Sequence, residues 1–317
     1  MRVLITGVAR ELGAEVARRL DADETVSELL GLDIERPVGR FRRLRYVRLD
    51  LRQTGAVGRV RELEADVIVH CAIATAGTAP RAAHEQNVIG TVNLLAGLAG
   101  RAPQKLILRS AGDVYSTGLA MPSVLREKDA RRARPGTPLG RDLHEVEALV
   151  DDYATASPAT VVSVLRLGPI LGQRWRSRLA EHLAAPAPVT VAGYDPALQL
   201  LAEEDAAEAM MRAVTADHPG TYNVAGDGVL LLSDLLRLTG RRSRTLLPPL
   251  GAPWLLRQMA RGMTGRDLPE DTLRLILHGM VLDCRRFLHE FGWQPPRPTH
   301  EVAAAHAESL QGALVAV

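Results

Sequence analysis

TGVARELG, residues 6–13, follows the short apolar run Val3–Ile5 and leads into a stretch with helical spacing from Glu11 to Leu20. Gly7 and Gly13 stand three residues either side of Arg10. Gly7 permits a tight turn out of the strand, and Gly13 lets the helix pack closely on the sheet while its N-terminus faces a pyrophosphate. Asp33 lies twenty residues beyond Gly13, at the end of the second apolar run, where a carboxylate can hold ribose hydroxyls. A glycine pattern alone also fits a strand–turn–helix corner without a ligand. Strand, turn, helix and carboxylate in this order point instead to a dinucleotide. Arg10 stands where a further glycine would let the backbone approach the pyrophosphate, and its guanidinium can offer a fork to a phosphate. With Arg36, three residues past Asp33, it would bind the 2′-phosphate of NADP(H), whereas the Asp33 carboxylate would repel that phosphate. The reading favours NADP(H), with NAD(H) as the alternative.

Outward from this turn, apolar runs alternate with amphipathic stretches. Val3–Thr6, Leu29–Asp33, Tyr46–Asp50, Val67–Cys71, Lys105–Arg109 and Val161–Leu165 read as strands, and Glu11–Leu20 and Ala82–Leu98 as helices. Such alternation predicts an α/β, doubly wound parallel sheet of the Rossmann type, with its ligand at the carboxyl ends of the strands. After Gly172 the rhythm breaks at Pro186, Pro188, Pro196, Pro248, Pro249 and Pro253, and a helical run follows from Glu270 to Gly279. The expected division is a dinucleotide-binding domain over 1–172, with 197–217 packing back onto it, and a smaller, mostly helical substrate lid over 173–317.

Composition narrows the function. A chain of 317 residues, 46% hydrophobic, can bury a full core, and with only 3% aromatics that core is built from Ala, Leu and Val. A net charge of +2 is too mild for a nucleic-acid or anionic-membrane partner, and Arg40, Arg42, Arg43 and Arg45 read as a solvated face. Cys71 and Cys284 are too few for a disulfide framework, and the nine histidines show no zinc-ligand spacing, so no metal is expected. Met1 runs directly into a strand, and no stretch of 18 apolar residues follows. A cytoplasmic protein is expected, its oligomeric state open.

The quoted turn, LDI at 32–34, LDL at 49–51, HCAIA at 70–74, NVIGTVNLL at 87–95, DVY at 113–115, LRLGPILG at 165–172, LAEEDAAEA at 201–209 and YNVAGDG at 222–228 fall in one familiar order. Over nearly its whole length the chain resembles the extended short-chain dehydrogenase/reductase family, the NAD-dependent epimerase/dehydratase group. The resemblance implies that Asp50 and Leu51 flank the adenine, that Cys71, Ala72 and Ile73 line the middle of the cofactor, and that Asn87 supports the active-site strand. It adds Leu12, Ile34, Gly168 and Pro169 as cofactor contacts.

That family's chemistry rests on a Ser or Thr and on Tyr-x-x-x-Lys one helix later, the tyrosine moving the proton and the lysine lowering its pKa. Here the three positions hold Ala111, Leu139 and Leu143. Lys105 and Lys128 are the only lysines, preceded four residues earlier by Arg101 and Val124, so no slipped Tyr-x-x-x-Lys exists. Arg141 projects from roughly the opposite helix face. Ser110, Ala111, Asp113, Leu139 and Leu143 are therefore the substrate-pocket candidates, with Tyr115 read as structural. Ser110 alternatively bonds backbone, Asp113 alternatively caps a turn, and the two leucines either line a pocket for a flat aromatic substrate or fill the core.

Among proteins of this fold without the triad, the sequence is similar to atypical ketoreductases acting on angucyclinone-type aromatic polyketides in antibiotic biosynthesis. The resemblance implies NAD(P)H-dependent carbonyl reduction, with the substrate's own phenol as proton source. The alternative is a dinucleotide-binding regulator or sensor without turnover. Epimerase and dehydratase chemistry is disfavoured because it needs the missing tyrosine as base.

Overall fold

Residues in the first half form the expected alternation. In the computed structural model, β1 (Arg2–Thr6), α1 (Glu11–Ala22), β2 (Glu28–Asp33), β3 (Leu44–Arg48), α2 (Ala56–Leu63) and β4 (Val67–His70) are followed by α3 (Pro80–His84), a π-helical turn (Glu85–Ile89) and α4 (Gly90–Leu98). Then come β5 (Lys105–Ala111), α5 (Pro138–Ala156), β6 (Val161–Leu167), α6 (Arg178–Leu183) and α7 (Glu203–Thr215). The structure describes all residues except 75–77, 116, 117, 119, 120, 134, 135, 174, 176, 248–252, 265–267, 316 and 317, and omits the side chains of 132, 253–255, 264 and 313–315.

Seven parallel strands make one sheet in the order Gly220–Val224, β6, β5, β4, β1, β2, β3. The order reverses between β1 and β4, which opens a crevice at the carboxyl ends of those strands. Side-chain alternation divides the core. Leu4, Leu30, Ile68, Leu106 and Leu108 pack with Leu94, Val146 and Val150 of α4 and α5 on one face. Val3, Ile5, Leu29, Val69 and Ile107 pack with Val16, Leu20, Ala206 and Met210 of α1 and α7 on the other. Both faces of these strands are buried, so their sequence reads as near-continuous apolar runs.

Two boundaries differ from the sequence reading. β3 begins and ends two residues earlier than 46–50. Leu49 N still donates to Asp33 O at 3.0 Å, but the chain then turns at Asp50, whose carboxylate accepts Arg52 N at 3.0 Å. The helix expected over 82–98 is interrupted by the wide π turn, which carries Gln86 and Asn87; π turns of this kind often mark functional positions.

Beyond Gly172 most of the structure is helical and has an apolar cluster of its own, including Leu183, Val191, Leu235 and Leu273. The chain's return to the sheet extends past 217. Gly220–Val224 pairs with β6, and the helix Arg285–Phe291 covers it, with Phe287 and Phe291 packed edge-on against Tyr222. No helix among the described residues is long and apolar enough to cross a membrane.

β6 is fastened to α5 by an ion pair. Arg166 and Glu147 meet at 2.5 Å with side-chain exposures of 8% and 12%, and Arg166 also donates to Tyr115 Oη at 2.9 Å and Glu127 O at 2.8 Å. Removing one partner strands a buried charge. Arg166→Ala is expected to lower unfolding free energy by about 3–5 kcal/mol in denaturant titration, and Arg166→Met with Glu147→Leu by clearly less.

Candidate active site

The site is built on the turn between β1 and α1. Gly7 has φ +73°, and a Cβ there would lie 2.7 Å from Ala72 Cα; a Cβ on Gly13 would lie 2.1 Å from Gly7 O. Neither position accepts a side chain, and the cradle so formed lies against the start of α1. Asp33 stands beside it, Oδ2 accepting Ala9 N at 3.0 Å and Oδ1 accepting Ile34 N at 2.8 Å. This backbone grip orients the carboxylate at the crevice mouth. Gly7, Arg10, Asp33, Ile34, Asp50, Leu51 and Ala72 line one cavity, and Leu12 joins Arg10 and Asp33 in the adjoining cleft. The Asp50 carboxylate is clasped by Arg52 at 2.8 and 2.7 Å, which holds its pKa down despite burial. A cradle closed to any Cβ, a helix start and a ribose-side carboxylate fit a nicotinamide dinucleotide.

Gln86, which the sequence pattern did not single out, spans this crevice. It accepts from Arg10 Nη2 at 2.9 Å and donates to Ala72 O at 3.1 Å. Asn87 accepts Ala74 N at 2.7 Å and donates to Asp142 Oδ2 at 3.0 Å, tying the end of β4 to α5; Asp142 Oδ1 meets His84 Nδ1 at 2.9 Å. A π turn leaves no signature in apolar spacing, so nothing in the sequence announced that Gln86 faces inward.

Several expected contacts lie elsewhere. Arg36 sits over the Tyr46 ring, 5.4 Å from its centroid, and lines neither cavity of the glycine turn. Cys71 and Ile73 belong to the cores on opposite faces of the sheet, and only Ala72 between them reaches the crevice. Burial pushes the Cys71 thiol up to about 12, the nearby Arg109 acting against this, so it stays protonated.

At the carboxyl ends of β5 and β6 a second cavity of about 110 Å³ opens towards the helical region. Ala111, Asp113, Leu139, Gly168, Pro169 and Trp175 line it, with Asp271 and Leu275 of the helix Glu270–His278 opposite. Of the three residues aligned with the family's catalytic positions, Ala111 and Leu139 thus face the cavity. Leu143 does not: it is fully buried in the α5 side of the core, where its role is packing. Ser110 is corrected likewise. It is fully buried and its hydroxyl donates to Glu147 Oε1 at 2.5 Å. Tyr115 is structural, bonded to Asn223 and Arg166. Asp113 is the one candidate carboxyl that reaches the cavity. Burial raises its pKa to about 6, assisted by Asp271 and opposed by Arg109 and Arg178. No group of three or more metal-ligating side chains exists among the described residues.

A model of the NAD dependent epimerase/dehydratase family matches residues 3–225. An uncharacterized protein of Mycobacterium tuberculosis is 31% identical over 310 residues, covering 94% of this chain and 81% of that protein. Among solved structures, the chain is similar to UDP-glucose 4-epimerase of Thermus thermophilus in complex with NAD, at TM-score 0.73 and 20% identity over 99% of this chain and 100% of that one. dTDP-glucose 4,6-dehydratase of Bacillus anthracis in complex with NAD matches at TM-score 0.73 and 14% identity, over 98% and 97%. At such identity these two show the fold alone. The family match over most of the chain, coinciding with a cradle that only glycine can form, makes this protein a member of the NAD-dependent epimerase/dehydratase family.

Proposed function

We propose that the chain is an NAD(P)H-dependent ketoreductase that reduces a carbonyl of a polycyclic aromatic polyketide, angucyclinone-type, in antibiotic biosynthesis. The observation that carries this reading is the pairing of a complete dinucleotide cradle with an adjoining cavity in which Ala111 and Leu139 replace the polar catalytic groups. When bound, the reduced dinucleotide supplies the hydride that the carbonyl carbon accepts. Leu139, Pro169, Trp175 and Leu275 offer flat apolar walls that orient a fused ring system and exclude water. The carbonyl oxygen then needs one proton. A phenol adjacent to that carbonyl donates it with high effective molarity, and water afterwards restores the phenol. No protein acid is required for this step. Epimerisation and dehydration, by contrast, need a base where Leu139 stands.

The choice between NADP(H) and NAD(H) rests on Arg10. With Arg36 drawn onto Tyr46, Arg10 is the remaining arginine of the two assigned to the 2′-phosphate, and Asp33 opposes it. The competing reading, a dinucleotide-binding regulator, draws on the same absent Tyr and Lys; it predicts saturable binding with no oxidation of the dinucleotide by any ketone.

Arg10→Ala is expected to weaken NADPH more than NADH in fluorescence titration; equal weakening assigns Arg10 to the pyrophosphate. An analogue whose phenol is methylated is expected to bind comparably and to be reduced at least 10²-fold more slowly at saturating NADPH; an unchanged rate removes the phenol from the mechanism. Asp113→Asn should retain turnover within about tenfold, since a positioned acid is worth about 10²–10⁴ and its loss would show on that scale. The raised pKa of Asp113 means that the folded chain holds this proton more tightly than the unfolded chain. Its stabilising contribution is present in acid and lost as pH rises through about 6. Denaturant titrations should therefore find Asp113→Asn gaining on the wild type above pH 6 and not at pH 4.

A further inference from the structure

Arg109 is a residue that neither the family's chemistry nor the reading above uses. It lies on β5, is 6% exposed, and its Nε and Nη1 have no hydrogen-bond partner. Its guanidinium carbon is 5.9 Å from the centroid of the Trp175 ring, and it lines the cavity that holds Ala111 and Leu139. The Trp175 ring that it faces lines both this cavity and the cleft of Arg10, Glu11 and Leu12 beside the glycine turn. Arg109 therefore stands between the two cavities, on the α1 side of the sheet.

A buried guanidinium without hydrogen-bond partners is strongly unfavourable. Arg166, comparably buried on the neighbouring strand, is by contrast held by Glu147. Asp113, which shares the cavity, makes no hydrogen bond to Arg109. What is missing is an anion entering from the cleft. The face of Trp175 holds the planar fork in place, and the fork's free edge suits two oxygens at once.

We propose that Arg109 is a binding residue for the pyrophosphate of the dinucleotide, supplying a positive charge from β5. The inference rests on the dinucleotide-binding reading. It goes beyond it in placing the principal phosphate contact on β5, outside the glycine turn. The two positive charges, Arg10 and Arg109, would then bracket the diphosphate from the turn and from the sheet. Because an unpaired charge destabilises the empty protein, this residue sacrifices stability for binding.

The test uses the full chain as wild type, Arg109→Met and Arg109→Lys, titrated calorimetrically with ADP-ribose, which carries the pyrophosphate without the nicotinamide, and with adenosine, which carries no phosphate. Arg109→Met is expected to weaken ADP-ribose by about 10- to 100-fold while changing adenosine less than about twofold, and Arg109→Lys to recover part of the loss. Without ligand, Arg109→Met should melt at or above the wild-type temperature, and the rise in melting temperature caused by ADP-ribose should shrink. If Arg109→Met binds ADP-ribose like the wild type, the proposal is wrong, and the guanidinium serves an anionic group on the substrate. Parallel loss of adenosine binding and melting temperature would show a structural role and overturn it equally. A wild type that binds no ADP-ribose overturns the dinucleotide-binding reading together with this one.

Discussion

The contact on which the rest depends is the approach of α1 to the turn that precedes it. Gly13 lies so close to the carbonyl of Gly7, and Gly7 to the backbone of Ala72, that a single methyl group at either place has nowhere to go. This closeness brings β1, α1 and the end of β4 to one point, sets the crevice at the reversal of strand order, and leaves the start of α1 facing it. Asp33 and the π turn are then positioned by what they touch around that point. Asp33 is gripped by backbone N–H groups beside the turn, and Gln86 reaches across to both Arg10 and Ala72.

At the other end of the same cleft two of the candidate polar and apolar residues serve packing. Leu143 completes the packing of α5, and Ser110 has been drawn into the Glu147–Arg166 pair that binds α5 to β6. The hydroxyl nearest the family's catalytic position thus fastens the scaffold. Charge remains around the cavity, but it comes from unexpected places: Arg109 on β5, Arg178 on α6 and Asp271 on the helix Glu270–His278. The site combines an apolar wall suited to fused rings with a rim of charge. The cofactor's phosphates give the most direct use for the part of that rim on β5.

Much of this was legible in the sequence because period-2 and period-3.6 patterns are strong where elements are buried on a sheet. All six expected strands form, and Gly7, Asp33, Asp50 and Ala72 converge as the motif order implied. What was not legible depends on contacts between distant segments. Arg36 was assigned by its spacing from Asp33, yet the ring of Tyr46 on the neighbouring strand holds it elsewhere. Cys71 and Ile73 follow the end of β4, where the chain has left the regular strand; they enter the cores on opposite faces of the sheet and leave Ala72 at the crevice. Trp175 lies in a stretch with no regular pattern, and the helical run over 270–279 does not say what Asp271 approaches.

The central claim is the proposed hydride transfer to a carbonyl held in the cavity lined by Ala111 and Leu139. It is tested most directly by following the hydrogen itself. Wild-type protein would be incubated with dinucleotide deuterated at C4 of the nicotinamide, one face at a time, and a polycyclic aromatic ketone bearing an adjacent phenol. The account predicts one deuterium at the new carbinol carbon, delivered from a single face, with stoichiometric oxidation of the dinucleotide. Saturable dinucleotide binding with no label in any product would contradict it and leave a binding protein in place of an enzyme.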